Sequence, residues 1–204
     1  MNKRLTAGFL LGGVMAAALA HAAVTVDTPA PDFTLQDVNG NDVTLSDYAG
    51  QYVVLEWTNH DCPYVRKHYE SGNMQGLQSR YTEQDVVWLS IISSAPGKQG
   101  YVESAEAIEL TESRNASPTT VLHDPDGVVG RTYGARTTPH MYIIDPEGTL
   151  RYAGAIDSIK SARQSDIPKA TNYVDAAMSA LLAGDEVEEK LTSPYGCSVK
   201  YSAT

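Results

Sequence analysis

The chain is poor in basic residues, and this shortage limits what it can bind. It has 15 Lys and Arg against 25 Asp and Glu, which gives a formal net charge of −10 at pH 7. No basic patch interrupts this acidic balance. Proteins that bind nucleic acids need positive charge to neutralise phosphates, so the composition argues against a nucleic-acid partner. Internal repeats and low-complexity segments are also absent from the sequence, which argues against a solenoid or a disordered chain.

Long hydrophobic runs are also missing after the N-terminal region, so we expect no stable membrane anchor. The N-terminal region itself is typical of an export signal. Lys3 and Arg4 precede an apolar stretch from Leu5 to Leu19, and Ala20-His21-Ala22 has the A-x-A pattern of a cleavage site. A membrane anchor is the alternative, but the apolar stretch is short and rich in Gly. The sequence therefore predicts a signal peptide at residues 1–22 and a periplasmic mature protein.

The order of the predicted elements indicates an α/β fold. Apolar alternation on both sides of Asn39-Gly40 predicts an N-terminal β-hairpin. Apolar runs at Val53–Leu55 and 86–92 predict buried central strands, and a helical pattern follows each of them. Pro146-Glu147-Gly148 predicts a second, antiparallel hairpin. We therefore expect residues 23–204 to form one domain with a central mixed sheet flanked by helices, and a C-terminal tail from about residue 184.

Cys62, one of only two cysteines, is placed where a helix is predicted to begin. Pro63 follows it, and proline is favoured at the first helical position, so Cys62 would be the N-cap. Unpaired backbone N–H groups and the positive end of the helix dipole stabilise a thiolate there. We therefore predict a nucleophilic sulfur with a pKa below that of a free thiol. The alternative is an inert buried cysteine.

The polar neighbours of Cys62 leave several interpretations open. Arg66, Lys67 and His68 lie one helical turn along and could lower the pKa of the sulfur. Each could instead belong to a solvated helix face, and we favour that interpretation for Lys67. Asp61 would oppose a thiolate if it lay close. His60 is either a base or proton donor, or an exposed loop residue.

The second cysteine, Cys197, is a candidate resolving thiol in the C-terminal tail. A sulfenic acid on Cys62 could condense with Cys197 to a disulfide. This requires the tail to fold back until the two Cα atoms lie within about 7 Å. Gly196 gives the backbone freedom to do so, and Tyr195 and Tyr201 could dock the tail. In an oxidising compartment the same pair could form a static structural disulfide instead.

Several motifs occur in an order and spacing that resemble a known superfamily. They are the opening stretch 30–35 with Leu45–Tyr48, the strand and turn 53–63, Thr138-Pro139, and Asp145-Pro146-Glu147-Gly148. Together they resemble the thioredoxin-like superfamily, and more closely its peroxiredoxin-like branch, the AhpC/TSA or redoxin group. The resemblance covers about residues 29–183. It implies a thioredoxin-like fold and a cis-proline at Pro139 lying against the active-site sulfur.

A narrower resemblance joins the active-site stretch to the tail. One group of exported redoxins has an E-W-x-N-x-x-C-P stretch followed by V-[KR]-K-H-Y, and it ends in a G-C-x-V-K-Y-like tail. The corresponding stretches here are 56–69 and 196–201.

Two departures from the wider family weaken any simple transfer of activity. Val65 stands where thioredoxin has the second cysteine of C-x-x-C. Typical peroxiredoxins have P-x-x-x-T-x-x-C, but Asn59 stands three residues before Cys62, with Thr58 one further back. Peroxidase activity therefore does not follow from the resemblance alone.

These arguments predict an exported thiol-dependent oxidoreductase with antioxidant or disulfide-exchange activity and no cofactor. Its substrate would be a peroxide or a protein or small-molecule disulfide, and an external thiol would be its reductant. The predicted catalytic residues are Cys62 and Cys197. The predicted supporting residues are His60, Pro63, Arg66, Thr138, Pro139 and His140, although His140 could also be a strand residue that only packs.

Two other functions remain open at this point. Thiolate and imidazole are ligands that copper and zinc favour, so a metal-binding thioredoxin-like module could use Cys62, His60, His68 and His140, although their spacing matches no known ligand set. A non-catalytic binding domain with a structural Cys62–Cys197 disulfide is the other alternative.

Overall fold

A computed structural model of the protein describes residues 24–203. The predicted signal peptide and its cleavage site lie outside these residues. The strands are β1 (Thr34–Asp37), β2 (Asp42–Thr44), β3 (Val53–Trp57), β4 (Val87–Ile92), β5 (Thr120–His123), β6 (Thr137–Thr138), β7 (His140–Ile144), β8 (Leu150–Gly154) and β9 (Cys197–Ser198). The helices are α1 (Pro63–Glu70), α2 (Asn73–Thr82), α3 (Ser104–Ser113), α4 (Val128–Tyr133) and α5 (Tyr173–Ala183), with short 3-10 helices at Leu45–Tyr48 and Gln164–Lys169.

Seven strands form one mixed sheet in the order β2-β1-β5-β4-β3-β7-β8. The central strands β3, β4 and β5 are parallel, and β7, β8, β1 and β2 join them through antiparallel pairs. The predicted central mixed sheet and N-terminal hairpin are therefore confirmed. Among residues 24–203, no helix combines the length and the apolar character needed to cross a bilayer.

Two apolar layers bury the two faces of this sheet. Successive residues of β3 point to opposite faces. Val54 packs in the layer that contains residues of α1, α2 and α5, while Val53, Leu55 and Trp57 pack in the opposite layer with residues of α4. All five residues of β3 and all six of β4 are buried. This explains why both strands read as continuous apolar runs.

One charged residue of β3, Glu56, is fully buried between the sheet and the helices. Its carboxylate accepts hydrogen bonds from Tyr69 of α1 (2.8 Å), Gln78 of α2 (3.3 Å), and Trp88 (2.9 Å) and Ser90 (3.0 Å) of β4. Burial raises the pKa of the Glu56 carboxyl, and these donors oppose that shift. Through Tyr69, near its C-terminal end, α1 is thereby tied to the centre of the sheet.

The C-terminal tail packs back across the rest of the domain. Gly184 (φ 80°) ends α5 in the left-handed conformation, and the tail begins there. The tail then bonds to β8, where Ala153 N–H donates to the Lys190 carbonyl at 3.0 Å. Further along, Ala95 N–H donates to the Lys200 carbonyl at 2.8 Å. The final residues of the tail are thereby packed against the end of the sheet where α1 begins.

Candidate active site

Cys62 occupies the N-cap of α1, with Pro63 as the first helical residue. The chain folds in this way because proline cannot continue a preceding hydrogen-bonded turn but fits the first helical turn. Cys62 has extended backbone angles (φ −75°, ψ 122°) and its side chain has no exposed surface. The sulfur is therefore enclosed by protein at the point where the helix presents free N–H groups.

The loop before β7 forms one wall of the site. The Thr138–Pro139 peptide bond is cis, as the family resemblance implied. The Thr138 carbonyl oxygen lies 3.1 Å from the Cys62 sulfur. Thr138 thus lies against Cys62, and the cis-proline implied by the resemblance follows directly in the chain.

The tail forms the other wall. Strand β9 pairs antiparallel with β6, and Thr138 is the partner of Cys197 in this register. Gly196 precedes Cys197 with φ 142°, and a Cβ atom at this position would lie 2.0 Å from the Thr138 carbonyl oxygen. Only glycine allows so close an approach. As a result the Cys197 sulfur lies 2.7 Å from the Cys62 sulfur, and both residues are present as thiols.

The two thiols differ in acidity. Burial raises the pKa of Cys62, but hydrogen bonds with the Cys197 thiol, with Thr138 and with the backbone N–H groups of Val65 and Cys197 outweigh burial and lower it. Burial, the hydrogen bond to Cys62 and repulsion by its negative charge raise the pKa of Cys197 to about 12. Cys62 is therefore the more acidic of the two thiols, and once it ionises the Cys197 S–H can donate a hydrogen bond to it.

The basic residues of α1 contribute less to this acidity than the sequence suggested. Arg66 lies on the exposed side of the helix, where its Nε donates to Glu70 at 2.7 Å. His68 is buried, and burial lowers its pKa to about 4, so it is neutral near pH 7. Within residues 24–203 no hydrogen bond or ion pair joins Arg66, Lys67 or His68 to either sulfur. The groups that lower the pKa of Cys62 are Cys197, Thr138 and one helix amide, that of Val65.

Lys67 corrects an expectation, because it does not belong to a solvated face. Its side chain is fully buried, and Nζ donates to Asp157 Oδ2 at 2.7 Å, to the Ile159 carbonyl at 3.2 Å and to the Tyr195 hydroxyl at 3.2 Å. The Tyr195 hydroxyl also donates to Asp157 Oδ1. This buried cluster of Lys67, Asp157 and Tyr195 ties α1 to the tail two residues before Cys197.

This cluster was not predicted, although one resemblance in the sequence pointed to a contact between α1 and the tail. The resemblance to exported redoxins joined the helix stretch 65–69 to the tail, and the tail does pack on α1. Tyr64 of the helix also meets Tyr195 edge to face, with ring centroids 5.8 Å apart. A contact between the two stretches could therefore have been expected, but its partner Asp157 could not.

The histidines near the site have mostly structural surroundings. His60 lies in the turn before Cys62, and its Nε2 is 3.3 Å from Asp61 Oδ1. His140 at the start of β7 is buried, and its Nδ1 accepts from the Arg136 N–H at 3.3 Å. Burial lowers the pKa of His140 to about 3. In the part of the chain that the structure describes, no three His, Cys, Asp or Glu side chains converge on a possible metal position, so the copper alternative has no ligand set there.

Asn59 replaces the threonine of typical peroxiredoxins and shapes the turn before Cys62. It is buried, its Oδ1 accepts from the Asp61 N–H at 2.9 Å, and its Nδ2 donates to the Gln99 carbonyl at 3.2 Å. Gly100 packs against it so closely that a Cβ there would lie 2.2 Å from Asn59. The amide is thus engaged in holding two loops together.

With this geometry established, comparison with known proteins gives a consistent result. The sequence model of the AhpC/TSA family matches residues 26–153. The chain is 30% identical over 129 residues to the "Thiol-disulfide oxidoreductase ResA" of Geobacillus thermodenitrificans, which covers 63% of this chain and 68% of that protein. It is 26% identical over 137 residues to the "Thiol:disulfide interchange protein DsbE" of Allochromatium vinosum, over 65% of this chain and 69% of that protein.

Two solved structures resemble the whole fold. An uncharacterised conserved protein from Geobacillus kaustophilus superposes with a TM-score of 0.78 at 26% identity, over 88% of this chain and 94% of its own. A hypothetical protein from Sinorhizobium meliloti gives a TM-score of 0.74 at 24% identity, over 90% of this chain and 98% of its own. Both extend the similarity beyond the residues matched by the family model.

Proposed function

The chain belongs to the AhpC/TSA family, and from that premise we propose that it is a thiol–disulfide oxidoreductase that cycles Cys62 and Cys197 between a dithiol and a disulfide. The observation that carries this proposal is the 2.7 Å separation of the two sulfurs at the start of α1. In one half of the cycle the two thiols become a disulfide, and two electrons and two protons reduce a protein or small-molecule disulfide. In the other half an external thiol reductant restores the dithiol.

The relatives support this chemistry, although the chain arranges its thiols differently. The curated relatives are named as thiol–disulfide oxidoreductase and thiol:disulfide interchange proteins. Thioredoxin has its second thiol three residues after the first, where this chain has Val65. In this chain Cys197 is the second thiol. It is distant from Cys62 in the sequence, but β9 holds it beside Cys62 in the fold. We extend the proposal to export to the periplasm by the signal peptide predicted at residues 1–22.

Disulfide exchange fits the site better than peroxide reduction. A peroxide would have to reach the more acidic thiol, Cys62, which has no exposed surface, whereas a disulfide can exchange at the partly exposed Cys197 that lies in contact with it. The position of the peroxiredoxin threonine holds Asn59, whose side-chain amide is engaged with the Asp61 N–H and the Gln99 carbonyl. We therefore rank a protein or small-molecule disulfide above a peroxide as the substrate.

The test is a redox titration of the mature protein in glutathione buffers, combined with turnover. We expect one reversible disulfide by intact mass, and dithiol-driven reduction of insulin that is lost in Cys62→Ser and in Cys197→Ser. Ser198→Ala is the matched control, because Ser198 is an exposed neighbour in the same strand, and it should keep wild-type turnover. A disulfide that forms but never turns over would identify a static structural bridge. Consumption of hydrogen peroxide faster than of disulfides would identify a peroxidase.

A further inference from the structure

The two sulfurs of the site are unequally accessible. The Cys62 side chain has no exposed surface, whereas Cys197 is partly exposed. Cys62 is enclosed by the Thr138 carbonyl, the start of its own helix and Cys197 itself. A thiol or disulfide approaching from solvent therefore reaches the Cys197 sulfur first.

Several contacts keep the tail closed over Cys62. Tyr195 is buried and bonds to Asp157 and Lys67 on one side of Cys197. On the other side the Val199 N–H donates to the Arg136 carbonyl at 3.0 Å. The Tyr201 hydroxyl donates to the Ala135 carbonyl at 2.8 Å, and its ring covers the glycines of α4. Exposing Cys62 would require most of these contacts to break together.

We propose that Cys197, and not Cys62, is the sulfur at which a partner thiol or disulfide exchanges, while Cys62 serves as the internal thiolate that leaves and re-attacks. This assignment rests on the proposed function. It reverses the roles suggested by the sequence, in which Cys62 attacked the substrate and Cys197 resolved it.

The exchange balances with a dithiol partner as reductant. One partner thiolate attacks the Cys197 sulfur of the Cys62–Cys197 disulfide, a new S–S bond forms, and the old bond breaks with its electron pair on Cys62. The second partner thiolate then attacks the first partner sulfur, which releases Cys197 as a thiolate that takes up a proton. The partner dithiol is oxidised to a disulfide and this protein's disulfide is reduced to two thiols. Substrate oxidation of the dithiol follows the same steps in reverse.

The surroundings of Cys62 suit the leaving role. Thiol exchange is faster when the leaving sulfur is the more acidic one. The Val65 N–H, which helps to lower the pKa of Cys62, remains in place as the bond breaks, whereas Cys197 is then bonded to the partner sulfur and has no S–H to donate. Attack at Cys197 therefore expels the sulfur that lies at the helix start, where a backbone N–H and the helix dipole stabilise the departing thiolate.

The first experiment maps the mixed disulfide. The oxidised wild-type protein is mixed with glutathione, quenched in acid after a short reaction, and digested for peptide mass spectrometry. We expect the glutathione adduct on Cys197 in at least about tenfold excess over Cys62, which is the ratio that a barrier difference of about 1.4 kcal/mol gives. An adduct mainly on Cys62, or equally on both residues, would overturn the assignment and leave the proposed function intact. If no Cys62–Cys197 disulfide forms at all, the assignment and the proposed function both fail.

Single-cysteine variants give an independent measurement. Cys62→Ser retains Cys197, and Cys197→Ser retains Cys62. Each reacts with oxidised glutathione, and each rate is divided by the thiolate fraction and corrected for the dependence of thiolate nucleophilicity on pKa, with the pKa measured in the same variant. We expect Cys197 to react at least about tenfold faster per thiolate in the folded protein, and the two to be equal in denaturant, because access alone separates them. A folded Cys62 that reacts as fast as Cys197 would contradict the proposal.

Discussion

The close approach of the tail at Gly196 makes a sharp prediction for the variant Gly196→Ala. The new Cβ would lie 2.0 Å from the Thr138 carbonyl oxygen and 2.8 Å from its carbonyl carbon. Ordinary contacts begin at 3.4 Å, so β9 must retreat from β6 by at least about 1 Å. Cys197 is the next residue after Gly196, so its sulfur moves away from Cys62 when β9 is displaced.

The size of the effect follows from that displacement. A misplacement of about 1 Å between reacting groups can cost on the order of 100-fold in rate. That factor corresponds to about 2.7 kcal/mol, and alanine in the sparsely populated backbone conformation of Gly196 costs about 1–3 kcal/mol before the steric contact is counted. We therefore expect the effective concentration of Cys197 at Cys62 to fall about 100-fold in Gly196→Ala.

The assay is the equilibrium between the dithiol, the disulfide and a glutathione buffer, which gives this effective concentration directly. Gly184→Ala is the matched control, because Gly184 also has a positive φ of 80° but a Cβ there meets no atom within 4 Å. It should lose stability without changing the effective concentration. An effective concentration in Gly196→Ala within about threefold of wild type, less than 1 kcal/mol, would refute the reasoning.

Three further predictions concern acidity and stability. The lowered pKa of Cys62 should give the reduced protein one thiolate, seen by its ultraviolet absorbance, that titrates below the free value of about 8.5; a midpoint above that value would mean that burial dominates. Lys67→Met should lower the free energy of unfolding in urea by about 3–5 kcal/mol because it leaves the buried Asp157 carboxylate without the lysine that balances its charge, whereas Arg66→Met, at an exposed ion pair, should change it by less than about 1 kcal/mol. Burial lowers the pKa of His140 to about 3, so the unfolded chain binds the extra proton and stability should fall as the pH drops below about 6.5, by up to about 1.4 kcal/mol per unit. His140→Asn, which keeps an acceptor near Nδ1, should lack that part of the acid slope, and an unchanged slope would contradict the burial argument.

Local signals in the sequence were enough to predict the sheet and the helix whose first turn forms part of the site. Continuous apolar residues marked β3 and β4 because both strands are buried on both faces. Cys62-Pro63 marked the start of α1, since proline restricts the chain to a first helical turn. Both kinds of signal depend only on neighbouring residues, so a single sequence contains them in full.

The interactions that complete the site join residues that are far apart in the sequence. They therefore produce no local sequence pattern. Strand β9 has only two residues, and its register is set by Gly196 meeting Thr138 rather than by alternation. Lys67 finds its partner Asp157 90 positions away and Tyr195 128 positions away. A lysine on a helix is ordinarily exposed, and nothing near it in the sequence indicated that these two residues would surround it.

The pairing of Cys62 with Cys197 has a thermodynamic consequence that reaches beyond the site. The two residues are 135 positions apart, so their disulfide closes a loop that contains all five α-helices and strands β4 to β8. A cross-link of that span removes entropy from the unfolded chain worth on the order of 5 kcal/mol. Folding and disulfide formation make up one thermodynamic cycle. The free energy by which the disulfide stabilises the folded protein therefore equals the free energy by which folding stabilises the disulfide. The redox potential of this protein is therefore coupled to its folding stability. Substitutions that loosen only the tail will change the redox potential. Substitutions that destabilise the dithiol and the disulfide forms equally will leave it unchanged.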